Sequence, residues 1–302
     1  MNLANKFLSL FGIKLIRTKR IKASNKIITT IIGGFELQIN KGSLLPSFLE
    51  QFIHYESTLP RLSNFINRTN PQFEIIDVGA YIGDTAALVR QKIENKIYSI
   101  EADPFFYQML INNAKKIGNI VPIQAYLGSG NTDQTNHMNL LGDSHNPYNK
   151  NGIVNNKIQT KTLDSIMDVD IATKNIGLLK IDTDGYDFEI INGAKKLLQK
   201  TTPILYIEFD KKLLVDRKVN GIEELAKLKD NYGPLMVYDN YGHFLLSSNL
   251  ENIQLIEQLY KYIGFKNCPI YYFDLILFPK NKPEIFNSFS LEETEYFSKI
   301  KE

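Results

Sequence analysis

The sequence predicts an α/β fold: a mostly parallel sheet of seven strands with a C-terminal antiparallel strand, preceded by an N-terminal extension. Three observations carry this. From Phe73 onward, short β-rich runs alternate with longer helical ones, which implies parallel βαβ units with helices on both faces. The first of these strands runs into a glycine-containing turn that opens a helix. Beyond Leu235 the alternation gives way to runs split by the turn Tyr241-Gly242, which read as antiparallel strands closing the sheet.

The elements follow in order. Leu3, Phe7, Leu10 and Phe11 fall on one helical face, followed by Lys14, Arg17, Lys19, Arg20, Lys22 and Lys26. Two readings stand: an interfacial helix making peripheral contact with an anionic membrane through residues 1–26, or a surface helix packed on its own domain. Ile27–Ile32, the turn Gly33-Gly34 and Phe35–Ile39 predict a hairpin. Ser47–Tyr55 and Leu59–Phe65 read as helices, and the loop holding Asn70-Pro71 marks a boundary. The expected division is an extension at 1–70, a core domain at 71–280 and a peripheral tail at 281–302. Within the core, strands are expected at Glu74–Val78, Lys96–Ile100, Ile120–Tyr126, Lys157–Thr162, Leu178–Asp182 and Ile204–Phe209. Helices are expected at Asp84–Glu94, Pro104–Lys116 and Glu189–Leu198. The polar stretch Asn131–Asn156, with His137 and His145, is long enough for a lid or substrate loop.

Composition narrows the class. The 302 residues carry 35 basic and 33 acidic side chains, for a net charge of +2, so no global basic excess points to nucleic acid. Cys268 is the one cysteine; no internal disulfide can form, which fits a reducing, cytoplasmic setting. No apolar run approaches the roughly 18 residues that span a bilayer, and no signal peptide is read at the start.

The strongest local signal is Asp77-Val78-Gly79-Ala80-Tyr81-Ile82-Gly83-Asp84-Thr85. In open α/β sheets the ligand crevice lies at the carboxyl ends of the strands. Gly79 would admit a close approach to the backbone, the helix start at Asp84 and Thr85 offers free N–H groups, and Asp77 suits an ammonium. A dinucleotide fingerprint needs G-x-G-x-x-G; here the glycines stand four apart and Tyr81 occupies the middle. Glu101 ends the next strand, about 20 residues on, where a carboxylate suits both hydroxyls of a ribose. Ala102 follows it, Asp103-Pro104 caps the next helix, and Gln124-Ala125 would flank an adenine.

Four stretches carry a resemblance to a known family. They are Ile76–Thr85; Glu101-Ala102-Asp103-Pro104 with Leu110 and Asn113; Lys161–Ile166; and Leu179-Lys180-Ile181-Asp182-Thr183-Asp184-Gly185-Tyr186-Asp187, continuing to Ala194. Together they resemble the FkbM-type methyltransferases, with the first motif in the D-x-G-x-x-x-G form of class I enzymes. The family usually has Glu where Asp184 and Asp187 stand, and Pro at Ala102. The resemblance implies a Rossmann-like class I fold and transfer of a methyl group from S-adenosyl-L-methionine, usually to an oxygen and in many relatives to sugar hydroxyls. The expected cofactor set is Asp77, Gly79, Ala80, Tyr81, Gly83, Asp84, Thr85, Glu101, Ala102, Gln124, Ala125 and Asp182.

At the acceptor, in-line displacement from a sulfonium needs alignment, exclusion of water and a base for the hydroxyl proton. Lys180 and Asp182 share a face by strand periodicity, Asp184 follows in the turn, and Glu208 ends the next strand. The preferred roles are Asp182 or Asp184 as base, with Lys180 and Glu208 as a buried pair that positions them. A structural ion pair and a helix cap by Asp184 or Asp187 are the alternatives. Asp182, Asp184 and Glu208 are also candidate ligands for Mg²⁺, although their spacing is not diagnostic. A non-catalytic binding module and a nicotinamide oxidoreductase on the same sheet are the competing functional readings; the glycine spacing disfavours the second.

Overall fold

The computed structural model describes residues 26–130, 132–134, 158–171 and 175–300. The expected membrane-facing helix at 1–12, the basic residues from Lys14 to Lys22, and His137 and His145 lie outside the described residues.

The strands, in chain order, are β1 (Ile27–Ile32), β2 (Phe35–Asn40), β3 (Glu74–Val78), β4 (Ile97–Glu101), β5 (Ile120–Gln124), β6 (Tyr126–Leu127), β7 (Thr132–Gln134), β8 (Ile158–Lys161), β9 (Ile176–Ile181), β10 (Ile204–Asp210), β11 (Tyr232–Asp239), β12 (Phe244–Asn249) and β13 (Tyr272–Pro279). The main sheet runs β12-β11-β13-β10-β9-β3-β4-β5. Strands β3, β4, β5, β9 and β10 are parallel; β13 joins β10 antiparallel and β11 joins β13 antiparallel. This is the expected Rossmann-like class I architecture, corrected from seven strands to eight by β12, which pairs along the edge of β11. Strand order reverses between β3 and β9, so the ligand crevice is expected above that pair.

Each core strand is apolar on both sides because helices cover both faces. On one face Ile76, Val78, Leu179, Ile181 and Leu205 pack with Ile190, Ile191 and Leu197. On the other, Ile75, Ile97, Leu178, Ile204 and Ile276 pack with Leu62 and Phe65 of the helix Thr58–Thr69 and with Phe289 of the helix Pro283–Ser298. The tail that reads as peripheral is therefore anchored: Phe289 and Glu293 are buried. The β1–β2 hairpin is tied to the glycine turn by Asn113, whose side-chain amide donates to the carbonyls of Gln38 and Ile82 at 2.9 and 2.8 Å.

Several boundaries differ from expectation for local reasons. The helix expected to reach Glu94 stops at Arg90, whose guanidinium donates to the carbonyls of Ile93, Asn95 and Gly118. The helix expected over Glu189–Leu198 is two, Asp187–Asn192 and Lys195–Thr201, broken at Gly193. A Cβ there would meet the Gly128 carbonyl oxygen at 2.2 Å, so the chain must pass close and turn. Ile120–Tyr126 divides at Ala125 into β5 and β6, and β6 leaves the main sheet to pair with β8. Helices at Lys211–Asp216, Gly221–Lys227 and Ile253–Tyr262 lack a matching expectation. No helix among the described residues is long and apolar enough to cross a membrane.

Candidate functional site

The face covered by Thr58–Thr69 turns polar toward the carboxyl ends of the strands. Side chains alternate along a strand, so Asp77 follows Ile75, Lys180 follows Leu178, and Tyr206 and Glu208 follow Ile204. Cα register places Asp77 beside Lys180 and Lys180 beside Tyr206. One position further on, Glu208 faces Asp274 across β10 and β13. An apolar face thus ends in a polar row at the crevice.

Lys180 sits in the middle of that row, with its side chain 3% exposed. Its ammonium lies 3.4 Å from Asp77 Oδ1 and 3.2 Å from Asp182 Oδ2. The expected Lys180–Glu208 pair is not formed; register puts Tyr206, not Glu208, next to Lys180. Asp77 is also corrected: it serves an ammonium inside the protein, and its buried carboxylate does not reach the cavity. Burial and the neighbouring Asp182 raise its affinity for a proton, while Lys180 opposes the rise.

A cavity of about 920 Å³ opens above this row. On the β3–β4 side it is lined by Gly79, Tyr81, Asp84, Thr85, Glu101, Ala102 and Ala125. Ala80, Gly83 and Gln124 do not line it. Ala80 is buried, and Gly83 holds the left-handed residue before the helix Asp84–Arg90. Gln124 is paired in register with Glu101 but is exposed and does not line the cavity. The strand-end residues that do face the cavity there are Ala125, Tyr126 and Leu127.

Glu101 is gripped by backbone: Tyr81 N–H donates to Oε2 and Asp103 N–H to Oε1, each at 2.8 Å. Tyr81 itself is left-handed, with φ +48°; its hydroxyl donates to Asn40 Oδ1 at 2.5 Å and its ring packs on Phe106. Gly79 is required for a reason other than ligand approach. At φ +79°, its Cβ would lie 1.8 Å from the Asp182 carbonyl oxygen, so the ends of β3 and β9 touch backbone to backbone.

On the β9–β10–β13 side the cavity is lined by Lys180, Asp182, Asp184, Glu208 and, unforeseen, by Tyr55, Glu56, Tyr206, Tyr271, Tyr272 and Asp274. The four named catalytic candidates do come together. Asp184 (φ +51°) and Gly185 (φ +88°) form a left-handed turn, and Asp187 accepts from Thr183 Oγ1 at 3.2 Å without capping its helix. The missed residues carried a weak signal: Tyr271-Tyr272 and Asp274 open β13, and an antiparallel strand brings its amino end to the crevice.

The cavity is acidic. Nine acidic side chains line it with the ammoniums of Lys180, Lys211 and Lys212, and those that are ionised favour a cationic ligand. Burial, with only partial relief from Lys180, pushes Glu56 and Asp84 up to about 7. Burial likewise lifts Glu101 and Asp187 to about 8, and Glu208 and Asp274 well above the ordinary carboxylate range. These groups hold protons in the folded chain that the unfolded chain releases near its ordinary carboxylate range, at about pH 4. Fewer protons bound in the unfolded state mean that stability falls as pH rises. Thermal melting of the ligand-free protein is expected to show a falling midpoint from about pH 5 through 8; a midpoint rising over that window would contradict the burial of these carboxyls.

Asp182, Asp184 and Glu208 do not assemble into a metal site: among the described residues no group of three or more metal-ligating side chains is placed to hold an ion.

A family profile described as the methyltransferase FkbM domain matches residues 77–230. Among solved structures, an FkbM methyltransferase from Methylobacillus flagellatus KT matches at 20% identity over 45% of this chain and 32% of that one, with a TM-score of 0.33. The chain thus spans about a third of that relative's length. TYW2 from M. jannaschii, solved with AdoMet, matches at 13% identity over 87% of this chain and 88% of that one, with a TM-score of 0.39. No curated protein matches.

Proposed function

The chain belongs to the FkbM methyltransferase family, and from that premise we propose that it methylates a hydroxyl oxygen of a sugar, in a surface glycan, a glycolipid precursor or a natural product. The donor is S-adenosylmethionine, which supplies an activated methyl on a positively charged sulfur. The observation that carries the reading is a single acidic cavity joining Glu101, at the end of β4, to the Lys180–Asp182 pair at the end of β9.

The residues fit such a donor. Glu101 is held in the cavity by two backbone N–H groups, which leaves further lone pairs for a vicinal diol. Ala102 and Ala125 leave room for a flat ring beside it, and the carboxylates that are ionised attract a sulfonium and an ammonium. Asp182 sits where the two halves of the cavity meet, and Lys180 fixes its orientation. Asp182 and Asp184 would orient the acceptor hydroxyl; Glu208 and Asp274, protonated by burial, would donate hydrogen bonds to neighbouring hydroxyls of the same sugar. Tyr271 and Tyr272 offer rings to its apolar face. The basic segment 1–26 would suit a lipid-linked acceptor presented at the cytoplasmic side of a membrane.

Calorimetry with S-adenosylhomocysteine and, separately, NAD⁺ tests the reading. Micromolar binding of the first alone is expected. Glu101→Ala should weaken it about 30-fold, since two hydrogen bonds contribute about 1 kcal/mol each. Binding of NAD⁺ alone would overturn the reading. Transfer of label from S-adenosylmethionine to a panel of methyl glycosides would then identify the acceptor; label that stays on nitrogen acceptors only would overturn the oxygen assignment.

A further inference from the structure

Glu56 lies outside the span matched to the family, in the short turn between the helices Leu45–Gln51 and Thr58–Thr69. Its backbone is left-handed, with φ +56°, a conformation that costs a non-glycine residue free energy and persists only where the surroundings impose it. Here they do. Ser57 N–H and Oγ both donate to the His54 carbonyl, at 3.1 and 2.6 Å. Arg61 donates to Ser57 Oγ at 2.7 Å and forks onto the buried Glu293 at 2.6 and 2.7 Å. A Cβ on Gly242 would meet the same His54 carbonyl oxygen at 2.0 Å, so the β11–β12 turn presses on the segment from the far side.

The outcome is a carboxylate presented to the cavity over the polar row. The groups whose charge acts on it are Asp77 from β3, behind the cavity wall, Asp84 from the following helix, Lys180 and Asp182 at the end of β9, Asp274 from β13, and the hydroxyls of Tyr55, Tyr206 and Tyr272. Among the described residues Glu56 has no ion-pair or hydrogen-bond partner of its own. Asp182 differs, because the Lys180 ammonium stands 3.2 Å from it as an ion-pair partner.

We propose that Glu56 is a catalytic residue, the base that takes the proton of the acceptor hydroxyl. This rests on the methyl-transfer reading above. As the acceptor oxygen forms its bond to the methyl carbon, its proton passes to a Glu56 carboxylate oxygen, and the electron pair of the breaking carbon–sulfur bond stays on sulfur. The acceptor leaves as a neutral ether and the sulfur as a neutral thioether. Burial places Glu56 at about 7, near the working pH that general-base catalysis favours.

Two cofactor analogues test this on the full chain without a known acceptor: S-adenosylhomocysteine, and sinefungin, which carries an ammonium-bearing carbon in place of the methylated sulfur. The ionised fraction of a group titrating near 7 rises about tenfold from pH 6 to pH 8. Sinefungin affinity relative to S-adenosylhomocysteine is therefore expected to rise up to about tenfold over that window in the wild type. In Glu56→Gln the ratio should stay flat within about twofold, with S-adenosylhomocysteine binding unchanged. Glu56→Asp should restore part of the rise. A rise retained in Glu56→Gln would assign the titration to Asp84 or Glu101 and overturn the proposal, as would equal weakening of both ligands. A wild type that binds neither ligand would instead bring down the methyl-transfer reading itself.

Discussion

Replacing Lys180 with methionine is expected to lower the unfolding free energy by about 3–5 kcal/mol near neutral pH, because it leaves the buried Asp77 carboxylate without its cation. Asp77 is 1% exposed, and the Lys180 ammonium at 3.4 Å is its compensating charge. The loss should depend on pH with a definite sign. In Lys180→Met the folded chain would take up a proton on Asp77, so the penalty shrinks as pH falls toward the ordinary carboxylate range and grows as pH rises. The double variant Asp77→Asn with Lys180→Met removes the stranded charge and should recover at least half of the loss. Urea unfolding at two pH values measures both effects. A Lys180→Met protein as stable as the wild type near pH 8 would mean that Asp77 finds solvent or another partner.

Gly79→Ala is expected to have the second large effect, and it comes with an internal control. Gly79 and Gly118 share a φ of +79°, yet a Cβ at Gly118 has nothing within 4 Å. Gly118, at ψ 154°, sits in backbone space that essentially only glycine enters, so Gly118→Ala should cost only that backbone term, about 1–3 kcal/mol. Gly79→Ala must also push the Asp182 carbonyl away, an overpacking cost of a further ~1–3 kcal/mol. Because Asp182 ends β9 at the cavity, the same displacement should reduce S-adenosylhomocysteine affinity, while Gly118→Ala leaves it unchanged. Melting curves and calorimetry on the two variants give the comparison. Equal stability and equal affinity in both would show that the β3–β9 contact yields without cost.

The parallel half of the sheet was legible in the sequence because its strands are buried on both faces and bounded by glycine turns. Runs such as Glu74–Val78 and Ile176–Ile181 leave little room for another reading. Glu101, Asp182 and Glu208 could be named for the same reason: they mark the ends of those strands, and strand ends define the crevice. What failed were statements about partners. Lys180 and Glu208 looked like a pair because both sit late in adjacent strands, but register sets Lys180 beside Asp77 and Tyr206. Gln124 occupied the expected place along β5, in register with Glu101, and is still exposed outside the cavity lining.

The sequence by itself determined the parallel strands, the glycine turn after β3 and the acidic residues at the strand ends, because burial and turn geometry are local demands written every few residues. Only the tertiary structure decided which charges neutralise one another and which residues close the acceptor side. Glu56 and Asp274 are 218 positions apart in the numbering, and neither belongs to a motif. They line one cavity because the helix Thr58–Thr69 lies across the sheet face and β13 returns antiparallel to β10. That meeting depends on packing between distant segments, for which no short stretch of sequence carries a signal.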